Sequence, residues 1–197
     1  MAKIILDRLK AKFAGDVLET SSFRGDDVAV VKAERWREIA EFIKTDAECL
    51  CDYFVDLSVI DNLDPQTEEV DRAGRFEVYY IVYSVTKKHR VRVKARLDGE
   101  SPSIATLVSV WSGANWMERE AWDMYGVDFE GHPDQRRILL YEEFKGHPLR
   151  KDYPANRAQP LIEYREGTHN KLGPFLQDEG MPLNRSVTLD ERSHKPS

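Results

Sequence analysis

The chain has 197 residues, of which 41% are hydrophobic and 32% are charged, so it can close one apolar core with an appendage rather than two full domains. Its formal net charge of −6 argues against a protein held to nucleic acid by a general basic field. The longest apolar stretch, residues 78–85, is far shorter than the roughly 18 residues that a bilayer-spanning helix requires, so we expect membrane association only through a partner.

Hydrophobic spacing predicts a series of helices and strands along the N-terminal half. The first helix is amphipathic, and we expect a plain helix there rather than an Arg-rich organellar presequence. A polar loop separates the second predicted strand from the third, which is rich in β-branched and aromatic residues. The predicted ranges are helix 1–13, strand 27–31, helix 33–44, strand 53–60, loop 61–74, and strands 76–85 and 89–97.

The segment 89–97 alternates between an apolar and a basic face, as a strand with one buried side does. Its apolar face carries Val91, Val93, Ala95 and Leu97, and its basic face carries Arg90, Arg92, Lys94 and Arg96. With the preceding strand it should form an antiparallel hairpin. The basic face could contact an acidic partner or nucleic-acid phosphates, but a solvated outer face, which we favour, produces the same pattern.

Two helices are predicted between residues 101 and 126. Ser101 as N-cap and Pro102 at the first helical position start the first. Asn115 and Glu118 resemble a capping box that starts the second, which Gly126 ends. The expected buried stripe of the first helix and its terminating glycine are Ile104, Leu107, Val108, Trp111 and Gly113.

Together these elements predict an α+β fold, in which a small mixed or antiparallel sheet with packed helices is followed by an extended C-terminal tail. The domain covers residues 1–154. From 155 to 197 the chain has scattered Pro, Gly and charged residues without hydrophobic periodicity. Such a tail can fold as it docks on a partner subunit, or it can be a free end.

The two cysteines, Cys49 and Cys51, would lie on one face of a strand and invite a metal-site interpretation. Iron–sulfur clusters and structural zinc sites need about four ligands, however, and the chain contains no other cysteine. We therefore expect buried, reduced thiols.

The segment 117–154 combines charged, aromatic, Gly and Pro residues with unusual regularity. Gly-His-Pro occurs at 131–133 and again at 146–148, each time followed by two adjacent cations. Pro restricts the preceding His to extended conformations and Gly adopts angles that other residues avoid, so each tripeptide predicts a rigid corner presenting an imidazole. Residues 138–141, between the corners, predict a short buried strand.

One interpretation of these corners is catalytic or metal-binding chemistry. His132 and His147 could bind zinc or iron with Asp134 or Asp152, although two histidines are a small ligand set. Alternatively, one of these histidines could act as a general base beside an acid of the preceding helix, at position 118 or 120. No activated nucleophile or phosphate-binding glycine loop accompanies them.

The interpretation that we favour is structural: acids on a helix and paired cations on an extended segment neutralise one another, in this chain's core or against a partner. Arg119 and Asp123 are four residues apart on the helix and can pair. Arginine suits such a partly buried network because its planar guanidinium binds carboxylates bidentately. The predicted network comprises Glu118, Arg119, Glu120, Asp123, His132, Arg136, Arg137, His147, Arg150, Lys151, Asp152 and Tyr153.

The run EREAWDMYGVDFEGHPDQRRIL closely resembles the signature of the C-type subunit family of complex I, whose mitochondrial relative is the thirty-kilodalton subunit. The family pattern is Glu-Arg-Glu, two variable residues, an acid, two apolar residues and, after a fixed gap, a basic residue. The matching positions are Glu118, Arg119, Glu120, Asp123, Met124, Tyr125, His132, Arg136, Ile138 and Leu139. GHPLRKDYP at 146–154 is similar to the family's second corner, and Gln135 departs from the pattern at a variable position.

The resemblance implies a non-catalytic subunit in the hydrophilic arm of a proton-translocating NADH:quinone oxidoreductase. In that setting the chain packs against the quinone-site subunit near the terminal iron–sulfur cluster. It lies on the cytoplasmic face of a bacterial inner membrane rather than on the matrix side of a mitochondrion. The resemblance further implies that FMN and the iron–sulfur clusters belong to other subunits, and that this chain binds no cofactor or metal.

Three alternatives remain open from the sequence. The chain could be the equivalent subunit of a complex I-related membrane-bound hydrogenase. It could be a free-standing enzyme that uses His132, His147 and Asp152. It could, least of all given its net charge, bind nucleic acid through the basic strand face.

Overall fold

The computed structural model describes residues 3–64, 66–67, 69–70 and 74–160, which belong almost entirely to a compact unit running from Met1 to Ala158. Most of the predicted tail lies outside the described residues, so the tail and its boundary remain predictions. The elements, in chain order, are α1 (Lys3–Lys12), β1 (Val17–Phe23), β2 (Asp26–Val31), a 3₁₀ turn (Ala33–Arg35), α2 (Trp36–Thr45), β3 (Tyr53–Asp61), β4 (Phe76–Ser84), β5 (His89–Leu97), β6 (Ser103–Ala105), α3 (Ala114–Tyr125) and β7 (Asp128–Glu130).

The main sheet has five strands in the order β1-β2-β5-β4-β3. Neighbouring strands are antiparallel except for β2 and β5, which are parallel because α2 and the β3–β4 hairpin intervene between them. This mixed sheet with packed helices confirms the predicted α+β class. In the part of the chain that the structure describes, no helix is long and apolar enough to cross a bilayer.

A single hydrophobic core forms where α1 and α2 pack on the sheet. Trp36 of α2 meets Tyr80 of β4 edge-to-face, with ring centroids 4.7 Å apart. Trp111 and Phe54 extend this aromatic cluster along the sheet. The apolar side of β5, from Val91 onwards, is buried beneath it as its alternation predicted.

The basic face of β5 is neutralised largely by the chain's own acids. Lys94 donates to the buried carboxylate of Glu77 at 2.6 Å, and Arg96 pairs with Glu19 at 3.1 Å. Arg90 pairs with an acid of β2, and the Arg92 guanidinium lies over the ring of Tyr79. The face is therefore neither freely solvated nor a row of unpaired cations.

The helix predicted after Ser101 is wrong. Residues 103–105 form β6, which pairs in parallel with β7, and residues 108–110 and 112–113 form turns. The Thr106 N–H donates to the Glu130 carbonyl at 3.0 Å and extends this pairing. A strand followed by a turn buries Ile104, Leu107 and Trp111 just as a helix would, so their spacing alone misled the prediction.

Helix α3 starts two residues earlier than predicted. Gly113 occupies the N-cap position, Asn115 lies in the first turn, and the capping box that we expected with Glu118 does not form. The predicted end is confirmed, because Gly126 adopts the left-handed conformation at φ 72° and its N–H bonds to the Trp122 carbonyl.

Two smaller strand predictions also differ from the structure. Residues 138–140 form bends, residues 138–141 contain no strand, and Leu139 is exposed. Strand β1 was not predicted, because its seven residues lie at the edge of the sheet and show no alternating burial.

Candidate functional site

The side chain of Asp123 is the centre of the charged segment. It is fully buried in the last turns of α3 and accepts hydrogen bonds from three successive backbone N–H groups, those of residues 138–140, at 2.9–3.1 Å. Arg137 donates to its other oxygen at 2.6 Å. Burial alone would raise the pKa of Asp123, but these four donors outweigh it and hold the pKa below its ordinary value.

Arg137 completes this arrangement from the opposite side. Its guanidinium also donates to the carbonyls of Phe144 and Gly146, at 2.7 and 3.2 Å. It lies 5.7 Å from the ring centroids of both Trp122 and Phe144. A cation held by a carboxylate, two carbonyls and two aromatic rings fixes the position of the backbone around it.

Residues 131–154, which we call the strap, run along α3 from its first turn to its last. Arg119 holds the middle of the strap by donating to the carbonyls of Arg136 and Arg137, both at 3.1 Å. The Arg119–Asp123 pair that the helical spacing allows does not form: Asp123 pairs with Arg137, and Arg119 donates to backbone carbonyls. The ion pair and the hydrogen bonds between the helix and the strap join residues that are 14 to 25 positions apart in the sequence.

The second Gly-His-Pro corner caps the C-terminus of α3, where four backbone carbonyls lack partners within the helix. The N–H of Gly126 donates to the first of these carbonyls, that of Trp122. The Nδ1–H of His147 donates to the Asp123 carbonyl at 3.0 Å, and the Leu149 N–H donates to the Met124 carbonyl at 3.1 Å. Arg150 donates to the last carbonyl, that of Tyr125, at 2.5 Å, and its charge suits the negative end of the helix.

The arginine of this cap reaches two further carbonyls. Arg150 donates to the backbone carbonyl of Gly126 at 3.3 Å and to that of Glu100 at 3.1 Å. Its guanidinium lies 5.1 Å from the ring centroid of Phe76. Burial lowers the pKa of His147, and the nearby charges of Arg150 and Arg137 lower it further against the opposing bond to Asp123. The corner thus presents a neutral, hydrogen-bonded imidazole rather than a free one.

The first Gly-His-Pro corner packs near the start of α3. His132 donates from Nε2 to the Asn115 carbonyl at 3.2 Å and accepts the Asp134 N–H at Nδ1, an arrangement that requires the neutral Nε2–H tautomer. The buried carboxylate of Glu118 lies 4.0 Å from the same Nε2. Glu118 accepts from the Thr106 hydroxyl at 2.5 Å and, at its other oxygen, from the backbone N–H of residue 107 at 2.6 Å. Burial raises the pKa of Glu118 to about 7.

A third attachment of the strap, to the end of β3, was not predicted from the sequence. Asp61, at the end of β3, is fully buried and binds Arg75 through both carboxylate oxygens, at 3.2 and 3.3 Å. Asp61 also accepts the backbone N–H of Lys151, and Arg75 pairs with Asp152 at 2.8 Å. Only the position of Asp61 directly after an alternating strand could have indicated it.

The remaining predicted network residues lie at the surface or along the strap. Glu120 is exposed and, among the described residues, has no cation within ion-pair distance. Arg136 forms an exposed pair with Asp134, and the ring of Tyr153 stacks on that of Phe144, with centroids 6.2 Å apart. The structure therefore brings the predicted residues together along α3, the strap and the end of β3, and Glu120 is the exception.

The two corner histidines bind opposite ends of α3, at Asn115 and Asp123, which a rise of about 1.5 Å per residue separates by roughly 12 Å. Within the described ranges no group of three or more His, Cys, Asp or Glu could hold a metal ion. Cys49 and Cys51 are free and buried, and burial raises the pKa of both thiols to about 12.

Comparison with known proteins agrees with this geometry. Residues 29–159 match the family model of the respiratory-chain NADH dehydrogenase 30 Kd subunit. The C subunit of the NADH-quinone oxidoreductase of Geobacter metallireducens is 45% identical over 75% of this chain and 86% of its own length. A C subunit of the same enzyme from Rhizobium meliloti is 40% identical over 94% of this chain and 92% of its own length.

Two solved structures share the fold. A trypsin-resistant fragment of Nqo5 is 29% identical, with a TM-score of 0.55 over 66% of this chain and 98% of the fragment. A chain of the membrane-bound sulfane sulfur reductase, an archaeal respiratory membrane complex, has a TM-score of 0.62 at 18% identity over 93% of this chain and 94% of its own, which is a likeness of fold alone. The chain therefore belongs to the family of the respiratory-chain NADH dehydrogenase 30 Kd subunit and is a component of a multi-subunit enzyme complex.

Proposed function

We propose that the chain is a non-catalytic subunit in the hydrophilic arm of a proton-translocating NADH:quinone oxidoreductase. It packs against the subunit that forms the quinone site, near the terminal iron–sulfur cluster, and supports assembly of the path from NADH to quinone. It lies on the cytoplasmic face of the membrane, which it reaches through the complex. The names of its relatives, which are C subunits of NADH-quinone oxidoreductases, support the choice of enzyme.

The observation that carries a docking role is the use of the signature residues. Glu118, Arg119 and Asp123 direct their polar atoms at hydrogen bonds within the chain, and both corner histidines do the same. Groups that hold backbone in place are poorly suited to moving protons to or from a substrate. A rigidly mounted strap is well suited to presenting one fixed surface to a neighbour.

The cysteines support placing the iron–sulfur clusters in other subunits. Cluster ligands are thiolates, usually four, whereas this chain has two cysteines whose thiols burial keeps protonated.

Affinity purification of the tagged chain from gently solubilised membranes tests the proposal. We expect the quinone-site and flavin-binding subunits to co-elute, together with NADH:quinone activity. Hydrogenase subunits without an NADH-binding flavoprotein would instead identify the related membrane complex. A chain that elutes alone with stoichiometric zinc or iron would point to a free-standing enzyme and contradict the proposal.

A further inference from the structure

Two large apolar side chains stand exposed beside the buried network. Trp116 of α3 is 69% exposed and Leu139 of the strap is 62% exposed. They flank Arg119: Trp116 lies one turn before it on the helix, and the N–H of Leu139 bonds to Asp123, one turn after it. Both side chains therefore lie on the side of the domain where the strap runs along α3.

Their backbones are held firmly. Leu139 is one of three successive residues whose N–H groups bind Asp123, and Trp116 is inside a helix that is capped at its C-terminus by the strap. Phe23 is 71% exposed at the end of β1, but its ring is partnered, because the Arg24 guanidinium lies 5.0 Å from the ring centroid. A rigid, uncovered tryptophan loses little entropy when a partner covers it.

Three exposed acids without an ion-pair partner among the described residues are close to the two apolar residues along the chain. Glu120 is four positions after Trp116 and so is its neighbour on the helix surface, while Glu142 and Glu143 follow Leu139 in the strap. All three are exposed, and no cation of the described residues lies within 4.0 Å of their carboxylates. The arginines of this region, such as Arg137, are already engaged with Asp123, with Asp134 or with backbone carbonyls.

We propose that Trp116 and Leu139 form the apolar centre, and Glu120, Glu142 and Glu143 the rim, of a docking surface for a neighbouring subunit. The chemistry of this surface requires a partner that presents an apolar pocket rimmed by Lys or Arg. Aromatic anchors carry most of the binding energy at such interfaces, and complementary rim charges set the register and the specificity. The inference deepens the proposed function, on which it rests, by naming the surface that meets the partner.

Retention of variant chains in the purified complex tests this surface. We expect the double variant Trp116→Ala with Leu139→Ala to retain at least about tenfold less of its partner subunits than the wild type. The matched control, Phe23→Ala with Val85→Ala, removes two exposed apolar side chains elsewhere and should retain them fully. Glu120→Lys with Glu142→Lys should also lose partners, whereas Glu34→Lys with Glu48→Lys, two acids on other elements, should not.

The outcomes separate this inference from the proposed function. If the wild-type chain elutes without partners, the proposed function fails. If the wild type retains them and the Trp116/Leu139 variant retains them equally, only the docking surface is overturned. If charge reversal alone has no effect, a cationic rim on the partner is overturned. Should the apolar variant misfold, a photoreactive phenylalanine at position 116 decides: cross-links to a neighbouring subunit support the surface, and their absence overturns it.

Discussion

The imidazole of His147 lies directly against the backbone of Gly126, so closely that a Cβ at residue 126 would be 2.5 Å from two atoms of the ring. This contact places the second Gly-His-Pro corner on the end of α3 and allows the corner to satisfy the helix carbonyls. It also makes position 126 sensitive to the smallest substitution.

Gly126→Ala should destabilise the chain through two separate effects. The left-handed backbone at φ 72° costs a non-glycine residue about 1–2 kcal/mol, and displacing His147 and Arg150 should cost about 1–3 kcal/mol more. Gly25→Ala is the matched control, because Gly25 has φ 88° but nothing within 4 Å of an added Cβ. Urea unfolding of the full chain measures both, and equal losses in the two variants would contradict the close packing of His147.

Asp123→Asn should lower the free energy of unfolding by about 3–5 kcal/mol, because it leaves Arg137 buried without its carboxylate. The amide nitrogen would also face N–H donors that require an acceptor. Asp134→Asn removes the exposed pair with Arg136 and should cost less than about 1 kcal/mol. Chemical unfolding at pH 7 compares the two, and a mild effect at Asp123 would show that the strap is not held by this pair.

Arg75→Ala should detach the end of the strap from the sheet. It leaves the buried Asp61 without its bidentate partner, for an expected loss of about 3–5 kcal/mol, and it removes the pair with Asp152. The amide of Lys151, which bonds to Asp61, should then exchange faster with solvent hydrogen. The control is Arg37→Ala, whose pair with Glu41 is half exposed and is worth about 0.3–0.5 kcal/mol. Unchanged exchange at Lys151 would contradict this attachment.

Glu118 should make stability depend on pH near neutrality. Because burial raises its pKa from 4.5 to about 7, the folded chain holds a proton that the unfolded chain releases. The resulting stability is fully present below about pH 4.5 and is lost as pH rises through about 7, a change of roughly 3 kcal/mol.

The neutral variant Glu118→Gln preserves an acceptor for the N–H of residue 107 and a partner for the Thr106 hydroxyl, so it should lose this dependence. Unfolding of wild type and variant at pH 5 and pH 8 measures the difference between their slopes. Glu120→Gln, an exposed neighbour on the same helix, should behave as the wild type does. Identical slopes for Glu118→Gln and the wild type would contradict a raised pKa.

Local patterning predicted the elements whose burial depends on near neighbours. The alternation of β5, the apolar stripe of α2 around Trp36 and the stop at Gly126 were all visible because each reflects a repeat or a backbone requirement within a few residues. The helix expected between Ser101 and Gly113 failed for the opposite reason. The backbone of Ser103–Ala105 instead pairs with that of Asp128–Glu130, and a partner so distant in the sequence leaves no periodic signal.

The sequence by itself determined the family, the α+β class and which residues make up the charged segment around Asp123. Those depend on residue identities at fixed spacings, which a single chain displays. Only the tertiary structure decided which charges meet: Asp123 binds Arg137 rather than Arg119, Arg150 caps α3, and Asp61 holds the strap to the sheet. Spacing shows which side chains share a helix face, but a buried carboxylate binds whichever donors the folded backbone delivers, and here most come from residues more than a dozen positions away.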